Sequence, residues 1–211
     1  MSNNRDQARD LIRVACVGDS ITRGTFVWRR KRQAYPVQLQ AMLGERFFVR
    51  NFGVNANAAQ RSADVSYWES DAFAKSSDFE PDIVLIMLGT NDSRGDNWKG
   101  VDSFAADYRE LVAHYQSLKS SPRVWLLTPP ALFRVGRSAK VRYGMDESAI
   151  REMSDAIKHL AQELGCGMID INEATAGRPD AFKFDGVHPG GQGARLIAQV
   201  VHDALLGARE D

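Results

Sequence analysis

The chain is poor in cysteine: 211 residues contain only Cys16 and Cys166, each set in an apolar, strand-like segment. That scarcity excludes a disulfide-stapled framework and paired-cysteine zinc sites, and both thiols read as small core residues. Long apolar runs are missing as well, with nothing approaching the ~18 residues of a membrane span. The polar start from Met1 to Asp10 lacks the apolar stretch of a secretory signal, so a cytoplasmic location without membrane association is the expectation. There is no surplus of either charge. Lys+Arg and Asp+Glu both total 27, giving a formal net charge of zero and a pI near 6.9. No whole-molecule field therefore gathers nucleic acid or anionic lipid. The run Arg29-Arg30-Lys31-Arg32 is the local exception and reads as a solvated surface turn. With four histidines and no His-Glu-x-x-His spacing, no metal or cofactor is expected.

What is present is ordinary globular material, 44% hydrophobic and 26% charged. The length suits one compact domain over residues 1–211, with 1–10 as a loosely ordered tail. Short apolar runs alternate with amphipathic stretches. Strands are expected at Ile12–Val17, Phe47–Phe52, Ile83–Leu88, Val124–Leu127 and Gly167–Ile171; the third is apolar throughout, as befits a strand buried on both faces. Helical stripes run through Tyr35, Leu39, Met42 and Leu43, through Phe104 to Leu118 with Asp102 as the expected N-cap, through Ile150 to Leu164, and through Leu196 to Leu205. The stretch from Pro129 to Asp146 is too irregular for one element and is expected to border or cover the cleft. Alternating periods imply βαβ crossovers, hence a three-layer α/β/α sandwich on a mostly five-stranded parallel sheet of flavodoxin-like type.

In such sheets ligands bind beyond the carboxyl ends of the strands. Those ends carry Gly18-Asp19-Ser20-Ile21-Thr22, Asn51-Phe52-Gly53-Val54-Asn55 and Gly89-Thr90-Asn91-Asp92. Asp185-Gly186-Val187-His188-Pro189 stands before the final helix. A serine hydroxyl needs a base beside it, and a largely neutral imidazole suits. A neighbouring carboxylate then holds the tautomer and stabilises the imidazolium. Ser20, His188 and Asp185 fit those roles as nucleophile, base and orienting acid. An attacked ester also needs preorganised donors for its oxyanion. The N–H groups of Ser20 and Gly53 and the side-chain amide of Asn91 are the candidates.

These four blocks, in this order from about Ile12 to Leu206, resemble the SGNH (GDSL-type) hydrolase superfamily. The resemblance implies a serine esterase with Ser20, His188 and Asp185 as its triad and Ser20, Gly53 and Asn91 as its oxyanion hole. Its flavour is that of bacterial carbohydrate or sialate O-acetylesterases, from the stretch Asn51-Phe52-Gly53-Val54 with Tyr67-Trp68 downstream. The expected substrate is thus a small acyl ester, an O-acetyl group on a saccharide. One departure stands out. Where the family often continues with Ser-Gly-Ala-Thr, this chain has Asn55-Ala56-Asn57-Ala58, so the loop behind the hole is expected to differ while Gly53 keeps its role.

Plainer readings compete. Ser20 and His188 could cap helices, Asn91 and Asp92 could be turn residues, and His114, His159 and His202 read as solvated. Trp28, Tyr67, Trp68 and Trp98 could line a substrate cleft or simply pack. A thioesterase or lysophospholipase would use the same triad on longer chains. A metal-dependent phosphoesterase with Asp19, Asn91, Asp185 and His188 as ligands, or a non-catalytic binding module, belongs to another class. The α/β-hydrolase elbow Gly-x-Ser-x-Gly is absent.

Overall fold

A computed structural model describes residues 11–136 and 140–208. The expected tail at 1–10 lies outside the described residues. In chain order the elements are β1 (Ile12–Gly18), α1 (Ser20–Arg23), α2 (Arg30–Gln33), α3 (Tyr35–Leu43), β2 (Phe47–Gly53), α4 (Asp71–Asp78), β3 (Ile83–Met87), α5 (Val101–Gln116), β4 (Arg123–Leu127), α6 (Glu147–Glu163), β5 (Gly167–Ile169), α7 (Ile171–Thr175) and α8 (Gly191–Gly207). The five strands form one parallel sheet in the order β2-β1-β3-β4-β5.

Both faces of the sheet are covered, which is why its central strands are apolar without alternation. Ala15 and Val17 of β1 join Val84 and Ile86 of β3 and Val124 and Leu126 of β4 in one core, against α5, α6 and Phe79 after α4. The other sides of the same strands, Val14, Cys16, Leu85 and Met87, pack with Tyr35 and Leu39 of α3 and Ile197 and Val201 of α8. This is the expected three-layer arrangement. Asp146 caps α6 by accepting from Ser148 N–H, and the helix buries Ile150, Met153, Ile157 and Leu160, the expected stripe.

Several expectations shift in detail. Gly100, not Asp102, is the N-cap of α5, and Asp102 sits in the first turn, where its charge faces the helix dipole. β5 stops at Ile169 because Asp170 turns to cap α7. α8 begins five residues before its apolar stripe. Cys16 is buried, but Cys166 is only half-buried, and both are free thiols. The basic run is exposed, yet Arg30–Gln33 forms a helical turn. His114 is not simply solvated: its ring packs on Phe73 at 4.5 Å, Nε2 meets Ser77 Oγ at 2.8 Å, and burial lowers its pKa.

Ile86 is fully buried and pairs in register with Val17 on one side and Leu126 on the other. Ile86→Ala should cost about 2–5 kcal/mol by lost burial and the cavity left behind. Urea unfolding would show it as a lower midpoint at unchanged slope. A variant within about 0.5 kcal/mol of wild type would contradict a sheet packed on both faces.

Candidate active site

The strand order reverses its winding at β1, so the loops after β1 and β3 leave the sheet edge on either side of a crevice. Ser20 follows β1 directly as the first residue of α1. Its expected alternative role as a cap is filled by Asp19, whose Oδ1 accepts from Ile21 N–H at 2.8 Å. Ser20 Oγ lies 2.8 Å from His188 Nε2, and His188 Nδ1 lies 2.6 Å from Asp185 Oδ2. All three residues are buried. Asp185 Oδ1 accepts from the N–H groups of Val187 and His188, both at 3.0 Å. Burial pushes its carboxyl up, but those bonds and the imidazole outweigh burial and hold it below the usual carboxylate range. An ionised Asp185 can only accept, so His188 Nδ1 carries the proton and the Nε2 lone pair faces the serine hydroxyl.

The loop that presents Asp185 and His188 is a closed turn. Lys183 N–H donates to His188 O at 2.8 Å and Gly186 N–H to Lys183 O at 2.9 Å. Gly186 adopts φ +71, and a Cβ there would stand 2.0 Å from Phe133 O. His188 therefore caps no helix; α8 starts at Gly191. Both of its ring nitrogens are engaged, which leaves none for the metal-ligand reading. Among the described residues no group of three or more His, Cys, Asp or Glu side chains is placed to hold an ion.

Asn91 reaches the same place from the end of β3. Its Nδ2 donates to Asn57 O at 2.9 Å, leaving the second amide hydrogen with only a long 3.4 Å approach to Asp19 Oδ2. Asp92 points the other way. Its carboxylate accepts from Ala59 N–H at 2.9 Å and Gln60 N–H at 2.8 Å, pinning the loop after β2 to the loop after β3.

Gly53 does not join them. Its N–H donates to Asn51 Oδ1 at 2.9 Å, so that donor is taken. A Cβ at Gly53 would stand 2.3 Å from Arg23 N and 2.8 Å from Asp19 O. The missing side chain serves the close approach of α1, not of a substrate. Ala56 stands in the site instead. It lines the cavity with Ser20, Asn91 and His188, adopts φ +63, and its N–H has no partner among the described residues. The sign was in the sequence: Ala56 falls where the resembled family has the Gly of Ser-Gly-Ala-Thr, and a left-handed backbone is what glycine takes up most readily.

The cavity encloses about 480 Å³. Thr25, Asn55, Asn91 and Arg94 give it polar walls, and Phe26, Tyr143 and Met145 give it apolar ones. Met145 and Tyr143 come from the irregular stretch after β4, which borders the cleft as expected. The tryptophans do not line it. Tyr67 is buried with its hydroxyl donating to Phe52 O, Trp68 donates to Ala59 O, Trp98 packs on Phe104, and Trp28 is 70% exposed elsewhere. The exposed aromatics at the site are Phe26, edge-on to His188 at 5.1 Å, Phe184 beside it at 5.6 Å, and Tyr143, edge-on to His188 at 6.1 Å.

At the edge of this flavodoxin-like sheet a hydroxyl, an imidazole and a carboxylate thus stand in one hydrogen-bonded line. Residues 16–196 match the model of the GDSL-like lipase/acylhydrolase family, and the chain belongs to that family. It is 30% identical over 214 aligned positions to an acetylxylan esterase of Xylanibacter ruminicola, covering 93% of this chain and 43% of that protein. The chain thus spans roughly half the length, 43% to 60%, of the curated relatives it matches. Among solved structures it resembles the aryl esterase of M. smegmatis (TM-score 0.73, 18% identity, 93% of this chain and 99% of that one). It also resembles a carbohydrate acetylesterase from Sinorhizobium meliloti (TM-score 0.72, 19% identity, 93% and 99%). At those identities the structures show a shared fold.

Gly53→Ala should disturb the site from behind by forcing α1, and with it Ser20, off the sheet. A loss of about 1–3 kcal/mol in stability is expected from overpacking against backbone. A variant with unchanged stability and an unchanged melting curve would contradict the close contact with Arg23 and Asp19.

The buried acids give a second test. Burial pushes Asp19 up to about 7, against bonds from Ile21 N–H and the Thr90 side chain, and Asp92 up to about 6. A carboxyl that holds its proton more tightly when folded contributes fully below its unfolded pKa. That contribution fades as pH rises through the folded value. The unfolding free energy of wild type should therefore fall between pH 4 and 8 relative to Asp19→Asn. Parallel profiles of the two proteins would rule out a buried, reluctantly ionised Asp19.

Proposed function

We propose that this chain is a serine esterase that removes small acyl groups, O-acetyl groups foremost, from a saccharide. The observation that carries the reading is the unbroken line from Ser20 Oγ to His188 Nε2 at 2.8 Å and from His188 Nδ1 to Asp185 Oδ2 at 2.6 Å. Ser20 Oγ attacks the ester carbonyl carbon while its proton passes to His188 Nε2. The oxyanion receives the N–H of Ser20, the N–H of Ala56 and the amide hydrogen of Asn91 that otherwise makes only the long 3.4 Å approach to Asp19 Oδ2. Collapse expels the sugar oxygen, which takes the proton back from His188 and leaves an acyl-Ser20. Water, deprotonated by the same imidazole, then attacks the acyl carbon, and collapse breaks the acyl–Oγ bond, frees the acid and returns the proton from His188 to Ser20 Oγ.

The walls of the cavity support the substrate class. Thr25, Asn55 and Arg94 offer hydrogen bonds to hydroxyls and ring oxygens, and exposed Phe26 and Phe184 offer flat faces to a ring. The acetylxylan esterase and the carbohydrate acetylesterase among the similar proteins point the same way.

Ser20→Ala should fold normally and reduce turnover by roughly 10⁴-fold or more, the scale seen when a triad nucleophile is removed. Acetate release from acetylated xylo-oligosaccharides, measured beside nitrophenyl acetate and octanoate, checks both parts. A Ser20→Ala protein that keeps a tenth of the rate ends the mechanism. A preference for octanoate over acetate, with the triad intact, transfers the chain to the thioesterase or lysophospholipase class.

A further inference from the structure

Tyr143 takes no part in the steps above, yet it touches the group on which they turn. We propose that Tyr143 is a positioning residue: its hydroxyl donates to Asp185 Oδ2 at 3.2 Å and so holds the carboxylate, and through it the His188 ring, in line with Ser20. The inference rests on the hydrolase reading given above and deepens it.

Asp185 is buried, and its Oδ1 is already occupied by the N–H groups of Val187 and His188. Oδ2 accepts the imidazole, and Tyr143 supplies the second donor to that same oxygen. A carboxylate with both oxygens engaged cannot turn about its Cβ–Cγ bond without losing hydrogen bonds in a buried place. The ring of Tyr143 also stands edge-on to His188 at 6.1 Å and 77°, and Phe26 stands edge-on at 5.1 Å and 85°. The imidazole is thus hemmed by two aromatic rings as well as held at both nitrogens.

The backbone shows that Tyr143 is placed there at a cost. It has φ +63 and ψ +15, the left-handed region that bulky side chains avoid. Such a conformation persists only where its surroundings over-determine it. Here they do. Gly95 N–H donates to Gly144 O, Asp146 N–H donates to Ser93 O at 3.1 Å, and Arg94 and Met145 form an isolated bridge. The turn that carries Tyr143 is therefore stitched to the loop after Asn91. Through Tyr143 it also reaches the loop of Asp185 and His188. Among the described residues, the other polar or charged groups facing this cluster are Ser20, Thr25, Asn55, Asn91 and Arg94 around the cavity, and Arg142 beside Tyr143.

The test is Tyr143→Phe, which keeps the ring and removes the donor. Its kcat should fall about tenfold, the scale of one hydrogen bond to a charged group, with KM within about twofold. Without the donor Asp185 bears more fully on the imidazolium, so the acidic limb of kcat/KM should move to higher pH. The low-field proton resonance of His188 Nδ1–H should move too, a signal that can be read in Ser20→Ala protein without turnover. Unchanged kcat, pH limb and resonance would overturn the proposal, as would a rise in KM alone, which would make Tyr143 a substrate contact. Should wild type show no Ser20-dependent hydrolysis, the esterase reading falls, while the resonance still decides whether Tyr143 holds the pair.

Discussion

A parallel sheet whose chain reverses its winding after β2 imposes the geometry from which the rest follows. Because β1 lies between β2 and β3, the loop of Ser20 and the loop of Asn91 emerge side by side at the carboxyl edge. The loop after β2 emerges on the far side of β1 and must fold back to bring Ala56 to the cavity. Asp92 enforces that return by binding the N–H groups of Ala59 and Gln60. A buried carboxylate on two backbone donors is a costly way to fasten a loop, and its raised pKa is the mark of that cost. What it secures is a cavity in which Ala56 and Asn91, from segments far apart in the chain, stand together with Ser20.

The triad shows the opposite balance. Asp185 and Asp92 both accept hydrogen bonds at both oxygens, yet the Asp185 carboxyl, set less deeply and paired with the His188 imidazole, is held low while that of Asp92 is pushed up. Burial alone penalises the charged form, and only donors aimed at it reverse the sign. One carboxylate fastens a loop and the other is held in its charged form against an imidazole. The difference lies in the imidazole that faces Asp185 and in the smaller burial penalty it bears. Asp19 shows the penalty most plainly: it gains Ile21 N–H and the Thr90 hydroxyl but faces Asp92, and it is pushed higher than either.

Much of the fold was legible because its signals are local. IVLIM at β3 reads as a doubly buried strand, and the stripe of α6 steps by three and four to Leu160. Ser20, Asn91, Asp185 and His188 were legible for another reason, since a small set of polar residues recurs at strand ends in a fixed order. What escaped were features decided by tertiary contact. The short helices α1, α2 and α7 are a single turn each and carry no period to detect. Tyr67 and Trp68 look like cleft aromatics until their polar tips are seen donating to Phe52 and Ala59 carbonyls in the interior. Tyr143 lies in a stretch without periodicity, and its partner stands 42 residues away.

Gly53 and Ala56 make the most instructive pair, because the residue type pointed to the one whose N–H is already engaged, by Asn51 Oδ1. A glycine at a strand end invites the thought that a ligand must come close, but close approach can equally be made by the protein's own backbone, as Arg23 makes it here. An alanine invites no such thought. Yet Ala56 has the left-handed φ that glycine would take without strain, and it lines the cavity with an N–H that has no partner among the described residues. Holding a Cβ in that conformation costs on the order of 1 kcal/mol. The chain tolerates the cost while Asn57 O binds Asn91 and Asp92 clamps the residues that follow. The strained loop and the amide of Asn91 are therefore one unit: the hydrogen bond that holds the loop also sets the direction in which the remaining amide hydrogen points.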